Sequence, residues 1–225
     1  MVKTIVASFD GYETAQKVVQ KLLDDGFMSR DISILASDIS GVYRAESDVE
    51  VSDVARHTAT GALTGGVVGG AAGLAACLMG LAIPGIGPII AAGPLVAMLS
   101  GLGAGAVAGG LIGALTEVGI PEEHANYYAE VVRRGGALVT LKADETRADR
   151  AAEIMRANGA INLDERVSRW RESGWHGWSP SAPPYTQAEA ERERQMYGTH
   201  ADPLSGLPLT SDPERDSRRD STIRR

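Results

Sequence analysis

Four histidines and one cysteine are the side chains of this chain best suited to hold a metal ion or act as nucleophiles, and their spacing decides whether they do. His57, His124, His176 and His200 are scattered, and none has a second ligand at metal-binding spacing. Cys77 lies in "GLAACLMG", where no charge lowers a thiol pKa, so it reads as a small packing residue. A single cysteine also excludes an intramolecular disulfide and fits a reducing compartment. "PEEHANYY" sets Glu122, Glu123 and His124 side by side, but consecutive residues on a helix point in different directions, and a solvated first turn is the expected role. No nucleophile elbow, Walker loop or dinucleotide fingerprint is present. The sequence therefore predicts no enzyme, no catalytic or metal-ligating residue and no cofactor.

The elements that would position any such groups follow from periodicity. "VKTIVASFD" (2 to 10) is rich in β-branched residues and reads as a strand. In "YETAQKVVQKLLDDGF", Ala15, Val18, Val19, Leu22 and Leu23 recur at helical spacing, and "DISILASD" (31 to 38) is a second strand. Downstream, residues 121 to 136 read as a helix with acids early, arginines late and paired glycines at its end, followed by a strand over 137 to 144. A helix over 146 to 159 and a last strand over 160 to 167 complete the pattern. Two such halves predict an α+β, ferredoxin-like sandwich of four strands with helices on one face. The halves span residues 1–55 and 118–168.

Between them lie sixty consecutive residues, His57 to Thr116, without Asp, Glu, Lys or Arg. "PGIGP" (84 to 88) divides this stretch, and each arm as helix would span roughly 40 Å, more than the hydrocarbon core of a bilayer. Gly61, Gly65, Gly69 and Gly73 in the first arm, and Gly101, Gly105, Gly109 and Gly113 in the second, stand four apart. Glycines at that spacing share one helix face and let another helix approach until backbones touch. Residues 56–117 are thus expected to form a glycine-zipper helical hairpin whose eight glycines are the helix-packing interface. An apolar helix is buried either in lipid or in a soluble assembly. The absence of an aromatic belt and the scarcity of flanking Lys and Arg argue against lipid, whereas the return of both arms to one domain argues for it.

The formal net charge of -7 disfavours nucleic acid as a partner. The N-terminal "MVKTIVASFDGYE" has too short an apolar run for a secretory signal, which predicts a cytoplasmic domain. Residues 169–225, rich in Pro, Ser, Asp and Arg, are expected to be mostly disordered, except that "TQAEAERERQMY" (186 to 197) reads as one short helix opened by a Thr186–Glu189 capping box. Trp170 is expected to pack back onto the sheet.

The segments "VKTIVASFDGYETAQKVVQKLLDDGF", "ISILASD", "GALTGGVVGGAAG" and "GIPEEHANYYAEVVRRGGALVTLKAD" together resemble the bacterial YflT-like general stress proteins. The resemblance implies a heat- or stress-induced protein, often with a glycine-zipper segment, and no established catalytic residues. The expectation is a non-enzymatic stress-response protein at the inner membrane, with itself and the lipid bilayer as partners. A soluble cytoplasmic oligomeric scaffold and a small-molecule-sensing regulatory domain, its ligand unknown, are the alternatives.

Overall fold

The computed structural model describes residues 2–41, 79–83, 86–101 and 110–197. Strand β1 (Val2–Phe9) leads into helix α1 (Tyr12–Asp24), and a short turn returns the chain as β2 (Ile32–Ser37). A hairpin of β3 (Met79–Ile83) and β4 (Gly87–Ala92) follows, then three helices, α2 (Pro94–Gly101), α3 (Gly110–Glu117) and α4 (Glu122–Arg133). Strand β5 (Ala137–Asp144) precedes α5 (Glu145–Ala157), α6 (Leu163–Glu172) and α7 (Gln187–Tyr197).

The five strands form one sheet in the order β1-β5-β2-β4-β3, and every neighbouring pair is antiparallel. Strand β5 lies between β1 and β2, so the two strands of the N-terminal β-α-β unit run parallel without touching. The register places Val2 opposite Asp144 and Phe9 opposite Ala137, and holds Ile34 between Val139 and Ala92. Helices cover both faces. Ala15, Val18 and Leu22 of α1 and Ala151 and Met155 of α5 pack against Ile5, Ala7, Ile34 and Val139 on one side. Leu95, Leu111, Leu115, Tyr128, Val132 and Trp170 pack against Val6, Leu35, Ile89 and Leu138 on the other. Burying one such aliphatic side chain stabilises by about 1.5–3 kcal/mol, so the two cores are the dominant source of stability.

Four sequence-based expectations are corrected. Residues 89–116 and 57–83 were expected as two long helices, yet the sheet takes residues 79–92 as its β3–β4 hairpin across the "PGIGP" turn. Ile89 is buried on one face of the sheet and its neighbour Ile90 on the other. A strand covered on both faces is apolar without alternation and has the hydropathy of a buried helix. Helices α2 and α3 have 8 residues each, about 12 Å of helix. Among the described residues no helix is long and apolar enough to cross a membrane.

The expected last strand, 160 to 167, is instead the start of α6. Asn162 caps it by accepting a hydrogen bond from the Glu165 backbone N–H at 3.3 Å, Asp164 and Glu165 fill the first turn, and Arg169 and Arg171 the last. Leu163, Val167 and Trp170 lie on one buried face. The sandwich with helices on one face therefore gives way to a sheet enclosed between two helical layers. The tail is ordered further than its composition suggests, since α7 packs against the domain, with Ala190 and Glu193 buried. Residues 198–225 lie outside the described residues.

Candidate functional site

The last turn of α4 carries Glu130, Arg133 and Arg134, three- and four-residue neighbours that on an exposed helix would form solvated ion pairs. Here Glu130 is fully buried, and both guanidinium groups close on its carboxylate: Arg133 Nε donates to Oε2 at 2.9 Å and Arg134 Nε to Oε1 at 2.6 Å. Burial is the largest single influence on the Arg133 charge and opposes it, but the Glu130 hydrogen bond and the attraction of the neighbouring negative charges together outweigh it and hold the group's pKa above its ordinary value. Arg134 reaches on to α7, where its Nη1 donates to Glu193 Oε2 at 3.1 Å, while the other Glu193 oxygen accepts the Trp170 indole N–H at 2.6 Å. Arg134 also lies 4.3 Å above the Trp170 ring. The segment before α7 joins in. Arg133 Nη1 donates to the Pro183 carbonyl, and its guanidinium sits 4.8 Å from the Tyr185 ring. Two buried acids and two buried arginines thus neutralise each other and bind α7 to the domain.

That docking closes one wall of a cavity of about 380 Å³ at the end of the sheet. The N-terminus of α1 (Gly11 to Thr14) and Asp10 form a second wall, and Ser37, Ile39 and Ser40 after β2 form a third. Gly135 fits between: its φ of +96° ends α4, and a Cβ there would meet Ala190 Cβ at 2.7 Å, so only glycine lets α7 approach this closely. The N-cap position of α1 is Gly11, which has no side chain with which to cap the helix. Ser37 is 8% exposed, and its hydroxyl has no hydrogen-bond partner among the described residues. Asp10 accepts from Arg166 at 2.9 Å.

The N-terminal side of this cavity lies within a stretch that matches a known family. Residues 4–80 match the heat induced stress protein YflT domain. No curated protein and no solved structure matches the chain. The YflT match points to a stress-response role. It contains most of β1 and all of α1 and β2, and so contributes Asp10 to Thr14, Ser37, Ile39 and Ser40 to the cavity, whereas Gly135, Gln187, Ala190 and Arg194 come from outside the YflT stretch.

The glycines predicted as a packing interface fall mostly elsewhere. Gly61, Gly65, Gly69 and Gly73 of the YflT stretch, with Gly105 and Gly109, lie outside the described residues, as do Cys77, His57 and His200. Gly101 ends α2, and Gly113 sits in α3, where an added Cβ would meet nothing within 4 Å. His124 makes an edge contact with the Tyr127 ring at 5.8 Å. Sequence reasoning missed Glu130, Glu193, Ser37 and Arg194. The first two look like members of exposed helical ion pairs, and only the burial of Trp170, which sequence reasoning did expect, signals that something must satisfy its indole N–H.

Proposed function

We propose that this is a non-enzymatic stress-response protein that self-associates and contacts a membrane through its uncharged stretch, residues 57 to 116. The observation that carries the reading is β3. Among the described residues it is, with β1, one of the two edge strands of the sheet; unlike β1 it holds no charged residue, and Gly80 and Ala82 on it are exposed. Natural sheets blunt their edges with lysine, proline or bulges, because an open row of backbone N–H and C=O groups pairs with another chain. Two copies meeting antiparallel along β3 would join their sheets through one self-complementary contact without like-charge repulsion. The family match supports the stress-response part, and the glycine repeats flanking β3 in sequence support close packing between copies. Contact with lipid is supported by the absence of charge in the part of that stretch not taken up by β4, α2 and α3, whose apolar side chains fill the domain core, and takes the form of surface association rather than a two-helix crossing.

Light scattering on the eluting full chain tests the assembly. Wild type is expected to elute as a dimer or larger species and Ala82→Lys, which puts a charge on the exposed edge, as a monomer. A monomeric wild type at micromolar concentration refutes self-association. Flotation with lipid vesicles tests the membrane half separately, and recovery of all protein in the lipid-free fraction refutes it.

A further inference from the structure

We propose that the cavity between α1, β2 and α7 binds a small oxyanion, the carboxylate or phosphate group of a metabolite. This site is independent of any self-association. Arg194 Nη1 lies 3.9 Å from the point where a Cβ on Gly11 would sit, directly beside the N-terminus of α1. A helix N-terminus carries roughly half a positive charge on its unpaired N–H groups. Arg194 adds a full positive charge beside it. No ion pair or hydrogen bond reaches Arg194 among the described residues. A third donor, the buried and unpartnered Ser37 hydroxyl, lines the same cavity. A helix end with glycine at its N-cap, and a guanidinium and a hydroxyl without partners among the described residues, surround one space and have a common complement, an anion that accepts from all three.

The acidic residues lining the cavity set the limits of the ligand. Asp10 is already engaged by Arg166, and Glu13 is exposed in the first turn of α1, where it adds to the local negative potential. A highly charged polyanion is disfavoured by both. The volume and charge suit a single oxyanion on a small molecule. Arg194 arrives on α7, so the Glu130–Arg134–Glu193 network that docks this helix is what completes the site.

The experiment is a titration of the isotopically labelled full chain with inorganic phosphate and, separately, with acetate, at constant ionic strength set by chloride. The amide signals of Gly11 to Thr14 are expected to shift saturably with phosphate, acetate or both, and not with chloride. Saturation by phosphate alone assigns a phosphorylated ligand, and saturation by acetate alone a carboxylate. Arg194 is exposed, so Arg194→Gln retains the fold, and it is expected to weaken binding by about tenfold or more through loss of a charge-assisted bond. Ser37→Ala is expected to weaken it by a few-fold. No saturable shift with either anion overturns the proposal, and so does binding that Arg194→Gln leaves unchanged.

Discussion

Replacing Glu193 with alanine removes the one side chain that ties Trp170 and Arg134 to α7. Its carboxylate accepts the Trp170 indole N–H at 2.6 Å and Arg134 Nη1 at 3.1 Å, and the side chain is 7% exposed. The indole N–H, left buried without a partner, costs about 1–2 kcal/mol. The four charges Glu130, Glu193, Arg133 and Arg134 sum to zero, and removal of one acid leaves a net positive charge. Glu130 still holds Arg134 through its Nε, which reduces the penalty from the 3–5 kcal/mol typical of a broken buried pair to about 2 kcal/mol. The expected total is about 3–4 kcal/mol, more than a single peripheral helix of 11 residues usually gains from docking. Alanine at this position is therefore expected to release α7 while the sheet stays folded. Limited proteolysis and hydrogen exchange read this directly: cleavage between residues 173 and 197 and exchange of the α7 amides should rise by about a hundredfold, with a smaller change in the thermal midpoint. Glu193→Gln, which keeps an acceptor for the indole, should fall between the two. If Glu193→Ala leaves exchange in α7 at the wild-type level, the buried network does not hold the helix.

Two further outcomes follow from local geometry. Gly93 has φ +90°, and a Cβ there would come within 2.3 Å of the Ile32 carbonyl oxygen, so Gly93→Ala should destabilise the fold by about 2–4 kcal/mol in chemical denaturation. The Arg150 hydrogen bond holds the Asp25 carboxyl below its ordinary value, and the Thr186 backbone N–H does the same for Glu189. A folded-state pKa below the unfolded one gives stability that is present above about pH 4 and lost as pH falls through the folded value. Acid titration of stability should accordingly steepen below that pH, and Asp25→Asn should flatten part of the slope.

The residues that report their own neighbourhood were legible from sequence, and those whose role depends on a partner far along the chain were not. The Thr186–Glu189 capping box is made as its spacing predicts, with Thr186 N donating to Glu189 at 2.8 Å and Glu189 N returning to Thr186 Oγ1. Ala15, Val18 and Leu22 face the core as their periodicity requires. "PGIGP" does mark a turn, but the flanking apolar runs contain no signal that separates a doubly covered strand from a helix. In "INLDERVSRW" the spacing of Leu163, Val167 and Trp170, with Asn162 before them, spells a capped helix, and the expectation of a symmetric repeat overrode it. Glu130 was beyond reach. Its burial is imposed by a helix more than fifty residues later, and nothing in "AEVVRRGG" distinguishes it from a surface ion pair.

The place of β5 in the sheet has a consequence for how the chain is made. Neither β1 nor β2 touches the other, and both take β5 as a neighbour, so a nascent chain that has completed Ser37 must wait for Ala137 to Asp144 before these two strands are joined. Roughly a hundred residues separate them, which at typical synthesis rates is roughly 5 to 20 s of an open edge on each strand. The stretch matched by the family, residues 4–80, holds β1, α1, β2 and the beginning of β3, no two of whose strands are hydrogen-bonded to each other. That stretch is half of a joint, with its other half synthesised later. Cells under heat, when nascent chains compete for chaperones, are where such a delayed closure is most exposed to mispairing.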